Sequence, residues 1–265
     1  MPESLRGLHY RVDDIRAPWA DETLPVLFNH GIGTDMDIWA EWVPVLAARH
    51  RVVRFDMRGF GRSPVPEEDH QWTMDELTGD LWSVADAAGA ARVHLVGESM
   101  GGTIVLAAAI AQPDRVASVT ISNASFKGKG LGELAYWREQ FADGGAVGWS
   151  RRMMDNRFAP GAGEERALAW FQETQSRTRP HVAMGLGTLL AGSDLSDQLR
   201  SLDVPISVVL PDSSPFVPLA HGSELETIAP NVRFRTVAGV RHGLPFSHAR
   251  SEAAHLLDFL STTDL

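Results

Sequence analysis

The sequence predicts an α/β fold with a mostly parallel central sheet flanked by helices, and three observations carry the prediction. Short apolar or β-branched runs alternate with helix-forming stretches from residue 25 to 122 and again from 204 to 260, the pattern of right-handed strand–helix–strand crossovers. One of these runs, Val93-His94-Leu95-Val96, ends in Gly97-Glu98-Ser99-Met100-Gly101-Gly102, and the alanine-rich stretch Thr103–Ala109 follows at once. A strand that becomes a helix in so few residues leaves no room for side chains at Gly97 and Gly101, and it holds Ser99 in a strained turn with its Oγ projecting from the sheet edge. Between residues 126 and 200 the alternation stops, and only helical patterns remain.

Taken in order, Leu8–Val12 alternates polar and apolar residues as an early edge strand does, whereas Pro25–Asn29 is continuously apolar, as in a strand buried on both faces. The turn-rich loop His30–Asp35 leads to a helical pattern from Ile38 to Arg49, with Ile38, Trp39, Trp42, Val45 and Leu46 on one face. Arg51–Asp56 reads as the next strand and Thr73–Ala88 as a helix, its N-cap Thr73 joined by Glu76 in a capping box. After the Ser99 turn comes the strand Val116–Ser122. Four helices are expected in the insertion, over Leu131–Phe141, Val147–Phe158, Glu164–Arg177 and His181–Leu190, separated by joints such as Gly144-Gly145. Such an insertion reads as a cap over the carboxyl ends of the strands. The expected division is therefore a core of residues 1–125 and 201–265 with a cap of 126–200. Strands Val204–Leu210 and Val232–Val237, a helix Leu219–Ile228 and a terminal helix Ser247–Leu260 complete the core.

Composition narrows the function classes. The 265 residues are 44% hydrophobic, enough for a large core, and carry a net charge of −10. Such a chain is a poor partner for nucleic acid or an anionic membrane. With no cysteine, disulfides, thiolate metal sites and a cysteine nucleophile are excluded. No apolar run is long enough to span a bilayer, and residues 1–4 lack the charged-then-apolar pattern of a leader; a cytoplasmic protein is expected. No His/Asp/Glu cluster has zinc spacing, and neither metal nor cofactor is expected.

A projecting serine becomes a nucleophile when a base, an orienting acid and oxyanion donors surround it. His242, in Gly239-Val240-Arg241-His242-Gly243 between the last strand and the last helix, reaches the same sheet edge as Ser99. The amide of Met100, at the start of the helix, is one oxyanion donor, and Ile32, flanked by Gly31 and Gly33, offers the other. His30 reads as a buried histidine bracing this loop, and Asp56 and Arg58 as supports of the neighbouring loop.

The segments His30-Gly31-Ile32-Gly33, Asp56-Met57-Arg58-Gly59-Phe60-Gly61-Arg62-Ser63, Gly97–Gly102 and Arg241-His242-Gly243 together resemble the α/β-hydrolase superfamily over nearly the whole chain. Gly31-Ile32-Gly33-Thr34-Asp35 with Ile38-Trp39 is similar to the 3-oxoadipate enol-lactonase group of esterases and lactonases. The resemblance implies an α/β-hydrolase fold, Ser99 as nucleophile, His242 as base and the amides of Ile32 and Met100 as oxyanion hole. Relatives usually carry the triad Asp in Gly-x-x-Asp-x-x-x-Pro after the penultimate strand. Here Leu210-Pro211-Asp212-Ser213-Ser214-Pro215-Phe216-Val217-Pro218 places Ser214 at that position, and Asp212, two residues earlier in the same loop, is the expected substitute.

The expected activity is hydrolysis of a small ester or lactone through an acyl-enzyme. Gly31 and, from the cap, Trp137 and Met154 are expected to touch substrate. Carbon–carbon bond hydrolysis of a ring-cleavage product, amide hydrolysis and perhydrolysis would use the same turn. A non-catalytic ligand receptor on a hydrolase scaffold is the alternative from another class. The expected partner is a small-molecule carbonyl substrate, with a homodimer as the candidate assembly.

Overall fold

The computed structural model describes residues 3–128 and 134–263. Its seven-stranded sheet has the order β1-β3-β2-β4-β5-β6-β7. The strands are β1 (Tyr10–Asp13), β2 (Val26–Asn29), β3 (Val52–Phe55), β4 (Val93–Glu98), β5 (Val116–Ser122), β6 (Ile206–Pro211) and β7 (Val232–Val237). Only β1 runs antiparallel, against β3; every other pairing is parallel. The central strands β2 to β5 are buried along their whole length, which accounts for the continuous apolar run Val26–Phe28 of β2.

Period-two alternation distributes their side chains to two cores. Leu27 of β2 enters one with Leu95 and Val119, while Val26 and Phe28 enter the other with Val52 and Val96. The first core is covered by α2 (Met74–Ala87), α3 (Met100–Ala111) and α8 (Leu219–Ile228), and the second by α1 (Val43–Leu46) and α10 (Ala249–Leu260).

Between β5 and β6 lies the helical insertion: α4 (Leu134–Arg157), α5 (Glu165–Ser176), α6 (Pro180–Ala191) and α7 (Ser196–Leu199). The first two expected cap helices are the arms of α4, separated at Gly145, whose φ of 59° breaks the helical path; residues 131–133 of the first lie outside the described residues. The insertion sits over the carboxyl ends of the strands, with Trp149 against Gly33 and Val182 against Gly59.

Three expectations are corrected. The helix expected over Ile38–Arg49 is a 3₁₀ turn, Met36–Trp39, followed by the single turn of α1, because Pro44 has no N–H to continue a helix from Trp39. The terminal helix is two pieces, α9 (Leu244–Ser247) and α10, separated at His248. Thr73 caps α2 by accepting from the Glu76 N–H (3.1 Å), but the Glu76 carboxylate turns to His70 (2.7 Å), so the reciprocal half of the capping box is not made. Among the described residues no helix is long and apolar enough to cross a membrane.

Candidate active site

Ser99 lies between β4 and α3 with φ 52° and ψ −124°, a left-handed backbone that a residue with a Cβ adopts only when its surroundings impose it. Hydrogen bonds impose it here. The Ser99 N–H donates to the Ser122 carbonyl (3.0 Å), and the Ser99 carbonyl accepts from the N–H groups of Gly102 (3.0 Å) and Thr103 (3.3 Å). Close packing does the rest, since a Cβ at Gly101 would run into the carbonyl oxygens of Asn29 and His30. As the first residue of α3, Met100 presents an N–H that no intrahelical carbonyl can accept, beside the positive end of the helix dipole.

The loop after β2 is fixed from three sides. The Met57 N–H donates to His30 Nε2 (2.9 Å), so the hydrogen of this imidazole sits on Nδ1 and is donated to the Gly31 carbonyl (2.9 Å). The Gly31 N–H donates to Glu98 Oε1 (2.8 Å). The Ile32 carbonyl accepts from Arg157 Nη2 (2.8 Å), and the Ile32 N–H meets no protein acceptor among the described residues. Gly33 has φ 85° and lies where a Cβ would strike the Trp149 ring. Asp56 braces the next loop by accepting from the N–H groups of Met36 and Arg62 (2.9 Å each), while Arg58 pairs with Asp80 (2.7 Å).

His242 is buried on a loop docked to the end of α4. Its N–H donates to the Asn156 carbonyl (3.3 Å), and the next residue, Gly243, donates to the Arg157 carbonyl (2.7 Å). Asn123 Nδ2 donates to the His242 carbonyl, and the Phe216 ring stands edge-on to the imidazole with centroids 4.7 Å apart. Burial first, and the Arg157 cation second, hold this imidazole well below its ordinary pKa of 6.5. Glu98, fully buried, is pushed up by desolvation, against the pull of Arg157 and the Gly31 N–H.

Asp212, the expected acid, does not meet His242. Its N–H extends the β6–β7 ladder by donating to the Val237 carbonyl (3.0 Å), and its exposed carboxylate accepts from the Gly239 N–H and the Ser213 hydroxyl (2.8 Å each). Two residues later the chain reaches the imidazole, and there Ser214 Oγ lies 3.0 Å from His242 Nδ1. Asp212 thus folds its own turn.

Ser99 and His242 line one cavity of about 700 Å³, counted with its mouth, together with Ile32, Asn123, Arg157 and a largely apolar wall that includes Trp137, Met153, Leu190 and Phe216. No hydrogen bond joins Ser99 Oγ to the imidazole among the described residues; such contacts are often long without substrate and tighten when it binds. Trp137 faces the cavity. Met154 does not: the neighbouring Met153 takes that place, and Met154 packs on the core beneath α1 and α10. Gly31 stands behind the wall, its amide committed to Glu98.

Arg157 was not singled out from the sequence. Its Nε donates to Gln175 Oε1 (3.0 Å), so one buried cation ties α5 to the Ile32 loop, while the backbone carbonyl of the same residue holds the His242 loop. The signal was its spacing: Trp149, Met153 and Arg157 recur every four residues, on one face of α4.

Residues 25–249 match the family model described as alpha/beta hydrolase fold. A 3-oxoadipate enol-lactonase of Acinetobacter baylyi is 26% identical over 225 residues, covering 76% of this chain and 75% of the relative. A provisionally named carbamate hydrolase of Azorhizobium caulinodans is 37% identical over 99 residues, which span only 37% of either protein. Among solved structures, the enol-lactonase of Burkholderia xenovorans superposes with a TM-score of 0.85 at 24% identity, covering 96% of both chains. With the sheet order, the serine turn and these matches in agreement, the chain belongs to the α/β-hydrolase fold family.

Proposed function

We propose that the protein is a serine hydrolase of small esters or lactones, with residues 126–200 as its cap. Ser99 Oγ attacks the carbonyl carbon, and its proton passes to His242 Nε2. The N–H groups of Ile32 and Met100 hold the developing oxyanion. The imidazolium returns the proton to the departing alcohol oxygen, and water repeats the sequence to release the acid. The observation that carries this reading is the strained serine at φ 52°, exposed to the cavity it shares with His242, with the Ile32 and Met100 amides meeting no protein acceptor among the described residues. The apolar wall favours a substrate with an apolar acyl or alcohol portion, and the likeness to a protein named as an enol-lactonase favours esters and lactones among carbonyl compounds.

Turnover of an aryl acetate and of a five-membered lactone by the wild type and by Ser99→Ala tests the proposal. Hydrolysis by the wild type and none by the variant is expected; equal turnover by both would remove Ser99 from the mechanism. The serine at the position where relatives carry an acid favours a second reading, a ligand receptor on a hydrolase scaffold. A receptor would bind such carbonyl compounds saturably with no turnover even in the wild type.

A further inference from the structure

We propose that Ser214 takes the third place in the relay, its hydroxyl oxygen accepting the His242 Nδ1 hydrogen and so leaving Nε2 as the basic nitrogen. This inference rests on the reading of Ser99 and His242 as nucleophile and base. Ser214 Oγ is 3.0 Å from His242 Nδ1 and also receives the Phe216 N–H at 3.3 Å. With the Phe216 N–H on one lone pair, the second is open to the Nδ1 hydrogen; in the proposed arrangement the imidazole is the Nδ1–H tautomer, the one whose Nε2 can take the Ser99 proton. The Phe216 ring, two residues on, holds the imidazole plane. Ser214 is thus a positioning residue that sets tautomer and orientation and touches no substrate.

A hydroxyl can position the ring, but it carries no charge to offset the imidazolium. The charged groups around the ring are Arg157 from α4 and Glu98 from β4. Glu98 is engaged with the Gly31 N–H, Arg157 stays protonated throughout, and Asp212 faces away. When the Ser99 O–H bond breaks, the proton adds to Nε2, the Nδ1–H···Oγ bond is retained, and the new cation forms beside Arg157. The proton then leaves on the alcohol, so no net charge accumulates. The base therefore stays neutral, and the enzyme active, at acidities where a carboxylate-backed imidazole would already be protonated.

The test is the pH dependence of kcat/KM for an aryl acetate, with fluorophosphonate labelling rates in parallel, for wild type, Ser214→Ala, Ser214→Thr, Ser214→Asp and Asp212→Asn. The acid limb of the wild type is expected well below pH 6.5. Ser214→Asp should move it upward by a unit or more, since an anion at Nδ1 favours the imidazolium. Ser214→Ala should lower kcat on the order of tenfold at unchanged KM, as one hydrogen bond to a group that becomes charged is lost, and Ser214→Thr should restore it. Asp212→Asn should keep the wild-type profile. An acid limb unmoved by Ser214→Asp, or wild-type kcat in Ser214→Ala, would overturn the assignment while Ser99 still labels. Absence of label on wild-type Ser99 would instead overturn the serine-hydrolase reading on which it stands.

Discussion

Replacing Ser99 by glycine should make the protein more stable, although glycine is ordinarily the destabilising choice. Ser99 occupies φ 52°, ψ −124°, a conformation that costs roughly 1–3 kcal/mol for a residue with a Cβ and almost nothing for glycine. Against that relief stands the extra freedom glycine gives the unfolded chain, about 0.4–1 kcal/mol. Ser99→Ala is the control. It keeps the Cβ and the strain, and the Oγ it removes has no hydrogen-bond partner among the described residues, so its stability should stay within about 0.5 kcal/mol of wild type. Ser99→Gly should then exceed Ser99→Ala by about 1 kcal/mol, or about 2–4 °C in midpoint for a chain of this size. Urea unfolding at pH 7.5 with both variants, checked for equal m-values, measures the difference. If Ser99→Gly is equal to or less stable than Ser99→Ala, the turn at Ser99 holds no strain.

Three further outcomes follow from the surrounding contacts. Glu98→Gln keeps an acceptor for the Gly31 N–H and removes a carboxyl whose folded pKa is raised by burial above 4.5. That group's stabilising contribution is full below 4.5 and is lost as pH rises through the raised folded value, so the variant should gain on wild type in midpoint from pH 4.5 to pH 8, and a difference independent of pH would refute this. Arg157→Met removes the cation that assists burial in depressing the His242 pKa and frees the Ile32 carbonyl. The acid limb of kcat/KM should rise while kcat falls, and an unchanged limb would show that the cation does not act on the base. Gly243→Ala should lower kcat more than tenfold with the fold retained by circular dichroism, because the new Cβ would meet the Phe158 ring and the Arg157 carbonyl and push His242 from its seat; in catalysis small misplacements carry such factors.

Features that depend on local chain geometry were legible in the sequence. The strand β2 is legible as a continuous apolar run, and the Gly97–Gly102 turn can be read because strand, glycines and helix all lie within a few residues. The break in α4 was foreshadowed by Gly144-Gly145. What the sequence concealed depends on contacts across distance. Arg157 shares a helix face with Trp149 and Met153, but the partner it reaches, Ile32, lies 125 positions away and only the fold brings the two together. In the sequence, charge favours Asp212 over Ser214, but register decides which of them meets the imidazole. The β6–β7 ladder extends one residue past Pro211 through the Asp212 N–H, which turns Asp212 toward Gly239 and carries Ser214 to the imidazole.

In the proposed mechanism Ser99 is an activated nucleophile although a serine, Ser214, and not a carboxylate stands at His242 Nδ1. Incubating wild type and Ser99→Ala with a fluorophosphonate at pH 7.5, followed by intact-mass and peptide mass spectrometry, tests it most directly. One stoichiometric adduct is expected on the peptide containing Ser99, and none in Ser99→Ala. An unmodified wild-type protein, or an adduct that persists in Ser99→Ala, would contradict it.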